Sequence, residues 1–318
     1  METTIAKNIR IADDKAKYDS ACKRLLSEKI ILAWIMKNCL EEYSNYDVNE
    51  IAEKYIEDIP QIGEIAVAPD ETNTTLIHGV NTEDSSMTEG TITYDIRFLA
   101  SVPSSKERIR LIINIEAQND FYPGYPIVKR GIYYCCRMIS SQYGVEFTDS
   151  HYENIKKVYS IWICMNPPKK WRNSITRYAI TEENVIGNVK EKKANYDLMV
   201  AVLVFLGGSE NSKNENYKGI LRLLDILLST KTNVEKKKQI LQEEFEIQMT
   251  QRLEQEVSLM CNLSKGVEQT GIKKGILVSI VNLMKNMQLS VQEAMRILEI
   301  PESEQAEYVE MINNEKVD

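Results

Sequence analysis

Two acidic residues, Asp95 and Glu116, occupy polar positions in two strand-like segments. In residues 91–99, Ile, Tyr and Phe alternate with Thr, Asp and Arg, which is the period-two pattern of a strand buried on one side. Residues 109–118 alternate in the same way and place Glu116 on their polar face. If the strands are neighbours, the two carboxylates converge. Such a pair, with a backbone carbonyl, suits a hard divalent cation such as Mg²⁺ for chemistry on a phosphate.

The elements that would position this pair are predicted from the spacing of apolar residues. A short loop at residues 102–106 favours a hairpin between the two acidic strands. Apolar residues three and four apart predict amphipathic helices, and alternating or continuous apolar runs predict further strands. We expect helices at residues 20–43 and 127–143, and strands at residues 158–165, 175–180 and 196–206. Together they predict an α/β protein whose mixed sheet is flanked by helices.

Changes in composition along the chain predict three regions. Residues 1–16 are a polar N-terminal tail, residues 17–208 form the α/β domain, and residues 209–318 form an all-helical C-terminal region. A stretch rich in Gly, Ser and Asn marks the last boundary. Within the helical region, Ser290 and Glu293 have capping-box spacing. Amphipathic helices need a covering surface, so we expect self-association as a homo-oligomer, or partner binding, through this region.

The overall composition is that of a soluble globular protein. Of the 318 residues, 43% are hydrophobic and 27% are charged, and the formal net charge is -8. A net negative charge gives no general attraction to nucleic acid, so DNA binding would need a local basic surface. The start of the chain is not signal-like, and no apolar run approaches the roughly 18 residues that span a bilayer. We therefore expect a cytoplasmic protein with no membrane segment.

Cysteine and histidine usage argues against metal centres built on thiolate or imidazole. The six cysteines show no C-x-x-C pairing and are interpreted as buried thiols in a reducing compartment. The two histidines, His78 and His151, do not lie in a ligand-like cluster. Zinc sites and histidine-based catalytic triads are therefore disfavoured.

Five segments of the chain, in order and at compatible spacing, carry a resemblance to a known family. The chain resembles the PD-(D/E)XK nuclease family transposases of bacteria, which are relatives of the recombination-promoting Rpn nucleases. The segments are GTITYDIRF at 90–98, INIEAQ at 113–118, GYPIVKR at 124–130, VYSIWIC at 158–164 and MCNLS at 260–264. The resemblance implies a restriction-endonuclease-like fold in which Asp95 and Glu116 bind Mg²⁺, or Mn²⁺, and the Ala117 carbonyl is a further ligand.

One position departs from the general pattern of this family. Gln118 stands where the family pattern has lysine, whose ammonium can stabilise phosphorane charge and help to orient water. Glutamine is neutral and can only form hydrogen bonds, so we interpret Gln118 as a group that positions water or phosphate. Lys129 or Arg130, one helix later, could restore the missing cation. Arg130 is therefore included among the candidate site residues.

The first helix of this superfamily often contributes an acidic residue to the site. Glu28 is the candidate here, with Glu41 and Glu42 further along the same predicted helix as alternatives. Glu64 and Glu89 could approach from predicted loops. An acidic residue on an amphipathic helix is more often a solvated surface residue.

The resemblance implies a Mg²⁺-dependent DNA endonuclease that hydrolyses phosphodiester bonds with metal-activated water. The alternative is a nucleic-acid-binding or protein-binding module that keeps the fold without turnover, as Gln118 and the net negative charge would allow. Residues 167–172 combine Lys and Arg with Trp171 and suit either contact with a DNA strand or a solvated loop.

Overall fold

A computed structural model describes most of the chain. The described residues are 16–57, 60–62, 83–86, 90–103, 110–118, 121–207, 216–229 and 232–315. The chain divides into two compact units, one of residues 19–258 and the other of residues 1–18 with 259–318. The predicted boundary between residues 208 and 209 remains a prediction.

A six-stranded mixed sheet forms the centre of the unit of residues 19–258. Its strands are β1 (Gln61–Ile62), β4 (Ile96–Ser101), β5 (Arg110–Gln118), β6 (Val158–Cys164), β7 (Ser174–Ala179) and β8 (Met199–Phe205), while β2 (Glu83–Ser86) and β3 (Gly90–Thr93) form a separate antiparallel pair. The order across the sheet is β1-β4-β5-β6-β8-β7. The neighbours β5, β6 and β8 are parallel, and the remaining pairs are antiparallel. The predicted mixed sheet is confirmed.

Helices precede, interrupt and follow the strands, as an α/β protein requires. They are α1 (residues 16–26), α2 (Lys29–Cys39), α3 (Val48–Glu50), α4 (Ile127–Ser140), α5 (Gly219–Leu228), α6 (Val234–Glu243), α7 (Gln251–Met287), α8 (Val291–Ile297) and α9 (Glu302–Glu315). A π-helical turn, Ile51–Tyr55, continues α3. Within the described residues, none of the helices combines the length and apolarity that crossing a bilayer requires.

The predicted hairpin is confirmed, because β4 and β5 are antiparallel with Ile96 opposite Ile115. The predicted continuous strand at 91–99 is wrong, since the chain leaves strand geometry at Tyr94 and Asp95 between β3 and β4. One-sided burial is also wrong. Ile96, Arg97, Phe98, Ile115 and Glu116 are all buried. Both faces of these two strands are therefore covered, and polar residues such as Arg97 and Glu116 do not reach solvent.

The predicted single helix at residues 20–43 is wrong, because it is broken into α1 and α2. Glu28, at the break, has extended backbone angles, φ -63° and ψ 127°. Next to it, the hydroxyl of Ser27 donates a hydrogen bond to the carbonyl of Arg24 at 2.7 Å. Serine hydroxyls that bond nearby backbone compete with the helical pattern and favour such breaks.

Helix α4 confirms the predicted helix at 127–143 and packs on the sheet through residues spaced four and three apart. Ile127, Gly131, Tyr134 and Met138 are buried along this face. A side-chain carbon added at Gly131 would lie 3.1 Å from Nε1 of Trp162, so the glycine allows close approach of helix and sheet. Ile132, Tyr133 and Cys136 lie off this face and are exposed.

The cysteines carry free thiols. Five are buried, as expected, but Cys136 is exposed, so the prediction that all are buried is wrong for this residue. In a helix, residues three and four apart share one face, whereas consecutive residues do not. Cys136 therefore points away from the sheet that covers its neighbour Cys135.

The second unit has its own core, built from the helices beyond residue 258. Apolar residues of α7, α8 and α9 pack against one another, among them Ile280, Met295 and Tyr308. The predicted capping box at α8 is confirmed, since Ser290 Oγ accepts from Glu293 N at 3.2 Å and Glu293 Oε2 accepts from Ser290 N at 2.8 Å. The apolar faces thus have cover within the chain, and self-association remains a prediction.

Gly207→Ala is expected to destabilise the sheet unit. An alanine side chain would overlap the side-chain amide of Asn173, which is buried and has left-handed backbone, φ 57°. Overpacking of this kind costs about 1–3 kcal/mol in the free energy of unfolding. Asn173→Gly removes the obstacle and suits the positive φ. In chemical denaturation the double variant should recover most of the loss, and a double variant as unstable as Gly207→Ala would contradict this packing.

Candidate active site

Asp95 and Glu116 come together where β3 gives way to β4 beside the end of β5. The backbone N–H of Asp95 donates to Glu116 Oε1 at 3.1 Å. In return, the backbone N–H of Ala117 donates to Asp95 Oδ2 at 3.0 Å. Each carboxylate thus binds the backbone of the strand that carries the other.

A buried lysine, which sequence reasoning missed, lies against this pair. Lys23 of α1 is 4% exposed, and its Nζ lies 2.9 Å from Asp95 Oδ1 and 2.8 Å from Asp19 Oδ2. The one sequence signal was the four-residue spacing of Asp19 and Lys23. That spacing usually marks a surface ion pair, so it did not suggest a site residue.

The electrostatics of this cluster follow from one ammonium among several carboxylates. Burial acts to lower the pKa of Lys23, but Asp95 and Asp19 outweigh it, so the pKa lies above its usual range. Burial raises the pKa of Asp95, Lys23 lowers it, Asp19 raises it again, and the net direction is upward. Lys23 thus bonds two carboxylates, while Glu116 interacts with Arg130 of α4.

Arg130 lies on the α4 side of the same region, bound by tyrosines. Its guanidinium donates to Tyr134 Oη at 2.7 Å and to Tyr125 Oη at 2.8 Å, and lies 5.2 Å from the ring centroid of Trp162. Burial raises the pKa of Tyr134, and the negative charge of Glu116 raises it further. Glu116 is therefore close enough to act on this cluster, and Tyr134 is a neutral phenol that bonds Arg130.

Two other predicted site residues have different surroundings. Gln118 ends β5, and its backbone carbonyl accepts from Met165 N at 3.0 Å, which continues the pairing with β6. Glu28 lies at the break between α1 and α2, with its Oε1 2.7 Å from Arg252 Nε. Burial raises the pKa of Glu28, and Arg252 acts to lower it. The contacts described for Glu28 thus join α2 to α7, and its role in a site with Asp95 remains a prediction.

The candidate site offers few oxygen ligands for a divalent ion. Among the described residues, no group of three or more His, Cys, Asp or Glu side chains is placed to hold a metal. Asp95 and Glu116 offer two carboxylates, and the Ala117 peptide lies beside them. Magnesium needs few protein ligands because it keeps several waters, so this set fits it. A metal ion bound to Asp95 Oδ1 would have to share that oxygen with the Lys23 ammonium or displace the ammonium.

Comparison with known proteins found no matching family model, no matching curated protein and no matching solved structure. The family resemblance of the five segments is therefore a hypothesis that rests on those residues.

Proposed function

We propose that this chain is a divalent-metal-dependent DNA endonuclease of PD-(D/E)XK transposase-like ancestry, with a restriction-endonuclease-like arrangement of its sheet. The observation that carries the proposal is the meeting of Asp95 and Glu116 across β4 and β5, each bonded to the other's strand. Two carboxylates at one site are the oxygen ligands that a hard divalent cation takes.

Each side chain has a role in this proposal. Asp95 and Glu116 hold Mg²⁺ or Mn²⁺, with the Ala117 carbonyl as a further ligand. The bound ion would supply an activated water and stabilise charge on the phosphate. Gln118 positions water or phosphate through hydrogen bonds. Arg130 keeps a permanent cation near Glu116, in place of the charge that a lysine at position 118 would provide.

Lys23 acts through Asp95 and does not touch substrate, because its side chain is 5% exposed. Its ammonium opposes the effect of burial on Asp95 and so favours the carboxylate form that a metal requires. We therefore assign Lys23 as a positioning residue.

The contact of Lys23 with Asp95 also supports a second candidate. A carboxylate that already has an ammonium at 2.9 Å is compensated without a metal. A nucleic-acid-binding or protein-binding module that keeps the nuclease arrangement without turnover would have this feature. The endonuclease remains the first proposal because it assigns roles to Asp95, Glu116 and Gln118 together.

The proposal is tested with purified protein and supercoiled plasmid. Relaxation of the plasmid is followed by gel electrophoresis across titrations of Mg²⁺ and Mn²⁺, with EDTA and an empty-vector preparation as controls. We expect nicking that rises with metal and stops in EDTA. Intact plasmid across both titrations would overturn the endonuclease proposal and leave the binding module.

The setting of this activity is also proposed. Six free thiols suit a reducing compartment, which supports the cytoplasm. We further propose DNA as the partner and a homo-oligomer formed through the C-terminal helices. Light scattering with and without the residues beyond 258 would test the last point.

A further inference from the structure

A basic surface of two loops follows the strands that lead to the candidate site. Residues 121–130 follow β5, and residues 165–174 follow β6, which is parallel to β5 and beside it. The two segments contain five Lys or Arg residues and no Asp or Glu, although Asp120 directly precedes the first. The chain as a whole has a net charge of -8, so the positive charge here is local. We call these two segments the loop surface.

Aromatic rings join the two loops. The ring centroids of Phe121 and Trp171 are 6.4 Å apart, and both rings pack on Phe205, at 5.9 Å and 5.3 Å. Lys170 Nζ lies 5.5 Å from the Trp171 centroid. A shared aromatic cluster therefore holds the two loops together. It also fixes the backbone that carries their Lys and Arg side chains.

Two tyrosines of the loop surface are exposed to solvent. Tyr122 is 70% exposed and stands edge-on against Phe121, with the centroids 4.9 Å apart. Tyr125 is 45% exposed and accepts a hydrogen bond from Arg130, the residue on which Glu116 acts. Through Arg130, Tyr125 thus links the loop surface to the surroundings of Glu116.

We propose that the loop surface binds single-stranded DNA next to the candidate active site. Unpaired bases would stack on Tyr122 and Tyr125, and Lys169, Lys170 and Arg172 would contact phosphates. Open aromatic faces interleaved with cations match a strand whose bases are unstacked, whereas the bases of a duplex cover one another. Charge complementarity favours a polyanion over an apolar partner. The inference deepens the proposed function, since it assigns a substrate with an unpaired segment beside the scissile bond.

Binding is measured by fluorescence anisotropy in EDTA, so that metal and cleavage do not enter. The probes are a labelled 20-nucleotide DNA strand, the same strand in a duplex, and RNA of the same sequence. We expect the tightest binding for the DNA single strand. Equal or tighter binding of duplex would overturn the inference, and tighter binding of RNA would overturn DNA as the ligand.

The stacking residue is tested by Tyr122→Ala, with Tyr152→Ala as the matched control. Both tyrosines are well exposed, and Tyr152 lies on a separate turn. Loss of one stacked base should weaken single-strand binding about 5- to 100-fold for Tyr122→Ala. The control should bind as the wild type does, and both variants should keep its melting temperature. Equal binding by the two variants would contradict the assignment of Tyr122.

The phosphate contacts are tested by the dependence of binding on salt. The double variant Lys169→Ala and Lys170→Ala should reduce the slope of log K against log salt by about 1.4, since each phosphate contact on a single strand contributes about 0.7. Lys190→Ala with Lys192→Ala removes the same charge from an exposed loop elsewhere and should change the slope less. An equal change in both would overturn the assignment.

Failure of this inference is distinguishable from failure of the endonuclease proposal. Metal-dependent nicking without preferential single-strand binding would overturn the proposal that the loop surface binds single-stranded DNA. The endonuclease proposal would stand. The opposite result is a protein that never nicks plasmid but binds single-stranded DNA, with binding weakened by Tyr122→Ala. It would support the binding role of the loop surface and overturn the endonuclease proposal.

Discussion

Glu116→Gln is expected to lower the rate of Mg²⁺-dependent plasmid nicking about 10³-fold, because several kcal/mol of charge stabilisation by a bound metal would be lost. Glutamine has the shape of glutamate, and its amide oxygen can still accept from Asp95 N–H as Glu116 Oε1 does. The fold should therefore persist while the negative charge disappears.

The matched control for this change is Glu153→Gln, on an exposed turn far along the chain from β5. Its nicking rate should equal that of the wild type. Anisotropy with the DNA single strand in EDTA should show that Glu116→Gln still binds. Nicking by Glu116→Gln at the wild-type rate would show that the pair with Asp95 is not the catalytic centre.

Lys23→Met is expected to reduce the free energy of unfolding by about 3–5 kcal/mol, because it removes one partner from a buried group of charges. The variant leaves Asp19 and Asp95 without their shared ammonium. Methionine has a similar length and fills the same space, so the loss reports charge and not a cavity. Denaturant titration measures it.

The matched control for stability is Lys54→Met. Lys54 forms an exposed pair with Glu50 at 3.1 Å and four residues away on the same helical segment. Such exposed pairs contribute far less to the free energy of unfolding than buried ones, because water screens their charges. Equal losses for Lys23→Met and Lys54→Met would contradict the structural importance of the Lys23 cluster.

The pH dependence of nicking distinguishes a positioning role of Lys23 from a role in stability alone. Lys23 lowers the pKa of Asp95, so its removal raises that pKa and leaves less carboxylate at a given pH. The acidic limb of the nicking rate should therefore move to higher pH in Lys23→Met, and activity should recover as the pH rises. A loss of rate that is the same at every pH would mean that Lys23 does not act through Asp95.

Lys23 changes the interpretation of Gln118. The sequence pattern suggested that the cation absent at position 118 might come from Lys129 or Arg130. The structure brings two cations to the region from different directions, Lys23 from α1 and Arg130 from α4. Because Lys23 is buried and Arg130 is held by tyrosines, both cations are fixed in place before any ligand arrives, which reduces the reorganisation that binding requires.

Local sequence patterns were enough to predict strands β5 to β8, the β4–β5 hairpin, helix α4 and the nearness of Asp95 to Glu116. Apolar periodicity follows from the geometry of each element, and a short loop leaves two strands little choice but to pair. The same patterns misplaced burial on β4 and β5, since a single segment does not reveal whether one or both faces are covered.

Contacts between distant segments set the remaining features. The two-sided burial of β4 and β5 and the pairing of Lys23 with Asp95 depend on what packs nearby in space. Lys23 and Asp95 are far apart along the chain, and the charge that each carries in the interior is tolerated only because folding brings them within 2.9 Å. Spacing in sequence reports neighbours within one element, while desolvation and charge pairing are properties of the assembled core.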